Sequence, residues 1–236
     1  MNYRGIIHFH SKYSYDSVLT FKQISNIVRS ESLNFLILTD HNTIKGSKVL
    51  QSYLDSINPD VEIVIAAEYE TEYGDMIAAF ISEEISAPSF KQFVSQVRMQ
   101  DGLLLLPHPY SCHIEIDLLA KEADMIEIYN SRISDTSNEK ACALARIYNK
   151  PSFYGCDAHN ADDLANVIVE FEKNGDLKQS LLASKIFPLI KKKSTHYSII
   201  KSQIIKALRK KNFKLLFFYI AKFFKYFIIK KLYKNI

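Results

Sequence analysis

Residues Arg4–Asp16, RGIIHFHSKYSYD, decide how the rest of the chain is interpreted. The apolar run Gly5–Ile7 leads directly into His8 and His10. Side chains two apart on a strand point to the same face, so a strand that reaches His10 would present both imidazoles together. Asp16 follows in a polar segment that can bend back towards them. The pattern predicts half of a metal site, with two histidines in a half-buried strand as the alternative.

Composition and charge divide the chain into two parts. The length of 236 residues, with 47% hydrophobic and 24% charged residues, is typical of a globular protein with a sizeable core. Residues 1–175 carry 25 acidic and 14 basic side chains, whereas residues 176–236 carry one acid and 16 bases. The asymmetry predicts an acidic body over 1–175 and a basic, aromatic-rich helical tail over 176–236.

The cysteines and the apolar runs indicate a cytoplasmic protein. Cys112, Cys142 and Cys156 are scattered and odd in number, which argues against a disulfide framework or a thiolate zinc site. The N-terminus lacks the charged and apolar regions of a signal peptide. No apolar run approaches the roughly 20 residues that span a bilayer.

Apolar runs alternate with amphipathic segments along the body. Asn34–Asp40 is apolar almost throughout, as in a strand buried on both faces, and Val18–Ser32 before it has helical spacing. The other predicted strands are residues 61–67, 76–81, 102–106, 125–129, 151–155 and 166–171. This alternation predicts an α/β fold built from parallel β/α units.

Metal-ligating residue types recur at the ends of these strands. The candidates are His8, His10, Asp40, His41, Glu68, His108, Asp157 and His159. A single histidine at a strand end is usually a loop residue, but five strand ends in succession are hard to explain by chance. In a β/α barrel the carboxyl ends of the strands meet on one rim. Imidazoles and carboxylates without thiolates suit zinc, manganese or iron, and so many donors predict two or three ions.

Clustered divalent ions indicate hydrolytic chemistry. They lower the pKa of a bound water, so that a metal-bound hydroxide exists near neutral pH, and they neutralise charge on a phosphoryl group. Hydrolysis of a phosphate mono- or diester is the leading prediction. Amide or lactone hydrolysis would also fit such a site.

The assembled motifs resemble the PHP (polymerase and histidinol phosphatase) family of metal-dependent phosphoesterases. Four blocks carry the resemblance: HFHSKYSYDS from His8, LNFLILTDHNTIKG from Leu33, LLPHP ending at Pro109, and YGCDAH ending at His159. Glu68 stands where the family has its metal-bridging glutamate. The resemblance, from about Arg4 to about Glu172, implies a distorted seven-stranded (β/α)7 barrel with a two- or three-metal centre.

The resemblance also implies roles for individual residues. One ion would be held by His8, His10, Glu68 and Asp157, and the others by Asp16, His41, His108 and His159. Asp40 is either a further ligand or a residue that orients a ligand histidine. Glu68 and Asp157 are the predicted catalytic carboxylates.

Two departures from the family pattern affect the predicted site. The usual Ser-Asp-Gly reads Ser14–Ser17 (SYDS), with Asp16 as the equivalent acid displaced by one residue. The strand at residues 125–130 lacks the histidine of some members, so Glu127 or Asn130 substitutes, or that ion is weaker or absent. Arg132 follows this strand and is predicted to hold a substrate phosphate, with a surface arginine as the alternative.

The basic tail has three interpretations. Residues 199–236 combine lysines with Phe, Tyr, Leu and Ile, which is typical of a helix that lies on an anionic membrane surface. A helix packed on the barrel and a nucleic-acid-binding segment are the alternatives. The longest uncharged apolar run, Leu215–Ala221, is too short to span a bilayer.

The sequence therefore predicts a cytoplasmic metal-dependent phosphoesterase, with the tail able to place it on the inner membrane face. The substrate would be a phosphorylated small molecule or a nucleotide. A nuclease or nucleotide phosphatase with a nucleic-acid-binding tail is one alternative. A non-catalytic, metal-stabilised, membrane-associated scaffold is the other.

Overall fold

A computed structural model describes residues 2–87 and 89–233, with side-chain surroundings up to residue 226. The last three residues of the predicted tail, 234–236, lie outside the described residues. The elements in chain order are β1 (Asn2–Ile7), α1 (Phe21–Ser30), β2 (Phe35–Ile37), α2 (Lys45–Asp55), β3 (Glu62–Val64), β4 (Ala66–Thr71), β5 (Gly74–Ala79), α3 (Phe90–Met99), β6 (Leu103–Leu106), α4 (Ile116–Glu122), β7 (Met125–Asn130), α5 (Asp135–Ile147), β8 (Ser152–Gly155), β9 (Val167–Glu172), α6 (Leu177–Ala183), β10 (Phe187–Lys191), α7 (His196–Arg209) and α8 (Phe213–Tyr233).

Polar N-cap residues explain where five of these helices begin. Thr20 before α1 and Asp176 before α6 form capping boxes, in which the side chain accepts a backbone N–H and a glutamine side chain returns the contact. Ser89, Ser134 and Thr195 each accept the N–H of the residue three positions later. Each cap satisfies a donor that the first helical turn leaves free.

The strands form two five-stranded sheets, and the α/β class is confirmed. The first sheet has the order β10-β9-β1-β2-β3 and the second β4-β5-β6-β7-β8. Within each sheet one run of three strands is parallel, β1-β2-β3 and β6-β7-β8. The predicted buried strand is β2, where Phe35, Leu36, Ile37 and Leu38 are fully inaccessible to solvent. All four side chains belong to the larger hydrophobic core, as the continuous apolar run requires.

The prediction of parallel units is wrong at four strand pairings. β4, β5 and β6 are successively antiparallel, and β9 runs antiparallel to both β1 and β10. Only two residues connect β4 to β5, which permits a hairpin but not the longer crossover that parallel strands need. The predicted strand at 61–67 is also divided, because β3 and β4 belong to different sheets.

The two sheets meet at two seams, and a closed (β/α)7 barrel is not confirmed. One seam is an isolated parallel bridge between Phe9 and Ala158, where the His10 N–H donates to the Ala158 carbonyl at 2.8 Å. The other joins His41 to Glu68. Both seams lie at the carboxyl ends of β1, β2 and β8. The sheets therefore bring these strand ends to one place.

The chain beyond residue 175 stays in contact with the body for several elements. Leu177 and Leu181 of α6 are buried in the core, and β10 is the edge strand of the first sheet, so the predicted all-helical tail contains a strand. α7 buries Ser198 and Ser202. α8 follows α7 and packs against it. No helix among the described residues has both the length and the apolar character that a membrane crossing requires.

Candidate metal centre

The two histidines of the first motif follow β1 rather than lying within it. β1 ends at Ile7, and His8 has a left-handed backbone with φ of 63°. Both imidazoles still face the same two carboxylates. His8 Nε2 lies 3.6 Å from Glu68 and 3.9 Å from Asp157. His10 Nε2 lies 3.3 Å from Glu68 and 3.5 Å from Asp157. The predicted pairing of the imidazoles therefore arises from an irregular turn instead of a strand's alternation.

Glu68 lies among four histidines. Its Oε1 is 3.0 Å from His108 Nε2 and 3.6 Å from His8 Nε2. Its Oε2 is 3.3 Å from both His10 Nε2 and His41 Nδ1. The two oxygens thus face different pairs of imidazoles, which is the arrangement that a carboxylate shared by two ions would need.

A second group surrounds Asp16. Asp16 Oδ2 lies 3.3 Å from His41 Nε2 and 3.4 Å from His159 Nε2. His10 completes a set of four whose ligand atoms lie within 4.8 Å of one another. The displaced acid of the SYDS segment therefore reaches the position that the sequence predicted for it.

The unpaired atoms of the centre fit a metal site. His8 Nε2, His10 Nε2 and Asp16 Oδ1 are buried and have no hydrogen-bond partner. A buried polar atom without a partner is costly, and a cation among these atoms would satisfy them. Eight predicted residues come together in overlapping groups of three or four: His8, His10, Asp16, His41, Glu68, His108, Asp157 and His159. Their ligation of metal itself remains a prediction.

The electrostatics of the centre favour bound cations. Burial opposes the charge of Glu68, but His8 and hydrogen bonds from His108 and His8 hold the pKa of Glu68 well below its ordinary value. Despite burial, Glu127, Glu68 and Asp157 raise the pKa of His8 well above its ordinary value. Without metal, the negative charge of these carboxylates is compensated by protons on the neighbouring imidazoles.

The imidazoles differ in their protonation. Despite burial, a hydrogen bond and the charge of Glu68 raise the pKa of His108 to about 9. Burial and the neighbouring His159 and His41 lower the pKa of His10 to about 3. His10 is therefore neutral at physiological pH, the form in which imidazole binds metal.

Glu127 lies behind a predicted ligand, His8. Its Oε1 is 2.8 Å from His8 Nδ1, and its Oε2 accepts the His108 backbone N–H at 2.5 Å and the Asn130 amide at 3.0 Å. A carboxylate on one imidazole nitrogen orients the other nitrogen towards the metal. Of the two residues considered as substitutes for the missing histidine, Glu127 thus lies behind His8. The Asn130 amide donates to Glu127 and to Asp157.

Asp40 lies outside the groups of candidate ligands. Its Oδ1 accepts the Ser11 N–H at 2.7 Å and the Ser14 hydroxyl at 2.9 Å, and its Oδ2 accepts the Ser11 hydroxyl at 2.7 Å. Ser14 in turn contacts His10 Nδ1 and accepts the His41 N–H. The geometry favours the second of the two predicted roles, in which Asp40 orients ligand histidines.

Arg132 is nearly buried behind the centre. Its Nη1 lies 2.9 Å from His159 Nδ1, its Nη2 donates to the Ser202 hydroxyl at 2.7 Å, and its Nε is 3.9 Å from Asp157. The alternative of a surface arginine is wrong, since only 8% of the side chain is exposed. A contact with a substrate phosphate stays a prediction. The observed contacts tie a candidate ligand to α7.

Asp75 was missed by the sequence reasoning. It stands near the start of β5, and one of its oxygens lies within 4.8 Å of ligand atoms of Glu68 and His108. Burial and the charge of Glu68 raise its pKa to about 6. Antiparallel β4–β5 pairing places Asp75 opposite Glu70, so only knowledge of the hairpin could have found it.

His113 is not among the grouped candidate ligands. Its ring nitrogens lie against the backbone carbonyls of Ser111 and Asp75.

Sequence comparisons identify relatives of the chain. Residues 135–184, from α5 to α6, match the family model PHP_C, described as PHP-associated. The protein MJ1587 of Methanocaldococcus jannaschii is 30% identical over 139 residues, which are 53% of this chain and 80% of that protein.

Solved structures share the fold. A two-domain protein of Bacteroides vulgatus, described as containing a predicted PHP-like metal-dependent phosphoesterase, superposes with a TM-score of 0.66 and 14% identity. The match covers 81% of this chain and 65% of that one, less than two thirds of its length. The lesion-specific endonuclease PfuEndoQ of Pyrococcus furiosus gives a TM-score of 0.57 at 16% identity, over 79% of this chain and 58% of its own. Motifs, relative, family model and fold agree, and the chain belongs to the PHP family.

Proposed function

We propose that the protein is a metal-dependent phosphoesterase, a hydrolase of phosphate mono- or diesters. The observation that carries this proposal is the position of Glu68 among four histidines, two of which have buried Nε2 atoms without a hydrogen-bond partner. The donors are imidazoles and carboxylates, which suit zinc, manganese or iron. A structural site would need only four ligands, so the larger set favours a catalytic centre over a metal-stabilised scaffold.

The donor groups divide naturally between two or three ions. Glu68 would be shared, because its two oxygens face different histidines. Asp157 lies between His8 and His10, and Asp16 lies between His41 and His159. Divalent ions held there would lower the pKa of a bound water and neutralise charge on a phosphoryl group. The protein's own contribution is to orient these ligands, through Glu127 on His8 and through Asp40 on the Ser11–Ser14 turn.

Metal content and hydrolysis, measured together, test this proposal. The purified protein would be analysed for zinc, manganese and iron, and assayed with an aryl phosphate monoester and a diester before and after chelation. We expect two or three ions per chain, activity that chelation abolishes, and inactivity of His10→Ala. His196→Ala, which changes an exposed histidine of α7, is the control. No bound metal, and no activity after addition of manganese or zinc, would contradict the proposal.

We further propose that α8 places the enzyme on an anionic membrane surface, the inner face of the membrane for a cytoplasmic protein. The described part of α8 exposes Phe213, Phe217, Phe218 and Phe224 beside Lys214, Lys222 and Lys225. No acidic residue follows Asp176. Exposed aromatic rings next to lysines are typical of helices at a lipid interface.

Sedimentation with lipid vesicles tests the role of α8. We expect binding to vesicles that contain phosphatidylserine, little binding to pure phosphatidylcholine, and a marked loss in Phe217→Ser/Phe218→Ser. Met99→Ser, at an exposed residue of α3, is the control. Salt-sensitive retention on oligonucleotides without vesicle binding would instead favour the nuclease alternative, and binding to neither would favour a packing role.

A further inference from the structure

The carboxyl-terminal end of α7 lies against the turn that carries Asp16. The Arg209 guanidinium donates to the Ser14 carbonyl at 2.5 Å. The Lys206 and Lys210 ammonium groups lie 5.1 and 4.0 Å from the centre of the Tyr15 ring. Three cations from the basic part of the chain therefore stand beside the candidate metal centre. We call Lys206, Arg209 and Lys210 the cation rim.

Tyr15 connects the cation rim to the centre. Its ring stacks on that of His41, with centroids 4.7 Å apart and planes inclined by 10°. His41 in turn faces Asp16 and Glu68. A single tyrosine ring thus separates the Lys210 ammonium from a candidate metal ligand. Burial and the charges of nearby carboxylates, led by Asp16, raise the pKa of Tyr15, which agrees with a neutral phenol at the edge of the centre.

The position of the rim is set by buried contacts of α7. The Ser198 hydroxyl accepts the Asn160 amide at 2.6 Å and donates to Asp163, and Ser202 accepts from Arg132. Asn160 follows His159 in the sequence, and the Arg132 guanidinium contacts the His159 ring. The helix is therefore attached to the same loops that carry the candidate ligands, and its last turn is held against Ser14 and Tyr15.

The cations of the rim form no ion pair among the described residues. Within the described part of the chain, no carboxylate lies within ion-pair distance of Lys206, Arg209 or Lys210. Lys210 and Arg209 are exposed, and Lys206 is partly exposed. Asp16, Asp75 and Glu68 of the centre act on the adjacent Tyr15 ring, and bound divalent ions would neutralise these carboxylates. Bound ions would therefore leave the rim available to an anionic group that the substrate brings.

We infer that the cation rim binds a second anionic group of the substrate, separate from the phosphoester that reacts at the centre. This inference rests on the proposed function. The substrate class is a small molecule with two phosphate-like groups joined by a spacer that passes the Tyr15 ring. Lysine and arginine suit such a group, because charge-assisted hydrogen bonds to phosphate are short and strong.

Binding of two phosphonates that cannot be hydrolysed tests the inference. Titration calorimetry of the full-length protein as purified would compare hexane-1,6-bisphosphonate with hexylphosphonate, which has the same carbon chain and one anionic group. We expect the bisphosphonate to bind at least about tenfold more tightly, roughly the contribution of one charge-assisted contact. Lys206→Met/Lys210→Met keeps the apolar stems on Tyr15 and should reduce the preference to less than about twofold.

Two further variants separate local binding from general effects. Lys222→Met/Lys225→Met removes the same charge from α8 and should leave the preference unchanged. Lys206→Arg/Lys210→Arg should retain it, with equal melting temperatures for all variants. The inference is overturned if the wild type binds both phosphonates equally, or if the α8 variant loses the preference as fully as the rim variant. A bisphosphonate preference in a protein that hydrolyses no phosphoester would support the rim while contradicting the proposed function.

Discussion

In the candidate metal centre Glu68, Asp16 and Asp157 each lie within 4 Å of histidine nitrogens, whereas the cations of α7 and α8 follow one another with no acid in their own segment. Glu68, at the middle of the centre, is almost fully buried, and Phe217 of α8 is 70% exposed. Buried charges that compensate one another but leave ligand atoms unpaired are arranged to receive cations. Exposed cations without partners are arranged to meet anions from outside the chain. This difference underlies both proposals, in which the centre carries out the chemistry and the helices bind anions outside it.

The strongest test of this division is Glu68→Gln. We expect phosphoesterase activity to fall by more than about 100-fold, since changes to groups that merely support metal ligands already cost 10–100-fold. Metal content should fall as well, because Glu68 faces four histidines. Glu70→Gln, at an exposed position on the same strand, is the matched control. Full activity and full metal content in Glu68→Gln would remove Glu68 from the centre of the mechanism.

Asp40→Ala distinguishes a ligand from a residue that supports ligands. We expect the number of bound ions to stay the same while metal affinity falls by roughly 10–100-fold, because Ser11 and Ser14 lose the carboxylate that holds them. Elemental analysis after dialysis against graded chelator concentrations measures both quantities. Asp60→Ala, at an exposed position, should change neither. Loss of one whole ion would instead make Asp40 a ligand.

These residues show what strand-end reasoning could and could not predict. The carboxyl ends of β1, β2, β6 and β8 converge as the alternation of strands and helices predicted, and Glu68 joins them from near the start of β4 instead of from a strand's end. Eight of the nine predicted ligands therefore come together. Asp40 was included because spacing alone cannot tell which of two adjacent residues, Asp40 or His41, faces inward. Asp75 was missed because it depends on the antiparallel pairing of β4 and β5. The pattern of residue types along the chain does not reveal which strands pair with each other.

The C-terminal helices were harder to predict for a related reason. Their composition favours a lipid surface but also fits nucleic acid or the body of the protein, since lysines and aromatic rings serve all three. The contacts that hold α7 come from two serines, Ser198 and Ser202, and serine carries no strong sequence signal for burial. The position of α7 over Tyr15 follows from these contacts, and so was not foreseeable from charge.

Metal binding should release protons at pH 7.5 and grow tighter as the pH rises. His108, with a pKa of about 9, and His8, whose pKa is also raised, carry protons in the metal-free protein. Imidazole binds metal only when neutral, so each ion must displace these protons, and affinity should rise about tenfold per pH unit per proton up to about pH 9. Calorimetry of zinc binding in two buffers of different ionisation enthalpy measures the release. Heats that do not depend on the buffer would contradict it, and His108→Asn should release fewer protons.

The smallest expected effect concerns the contrast between α7 and α8. Ser198→Ala should lower the free energy of unfolding by about 1–3 kcal/mol, because the buried Asn160 amide and Asp163 carboxylate lose a partner. Phe217→Ser, which changes an exposed ring of α8, should stay within about 0.5 kcal/mol of the wild type. Urea denaturation followed by circular dichroism measures both. Vesicle binding should respond in the opposite order, with Phe217→Ser impaired and Ser198→Ala unaffected. The two assays together therefore decide whether α7 stabilises the body of the protein while α8 binds the membrane surface. Equal effects of the two variants in either assay would mean that the helices act as one element.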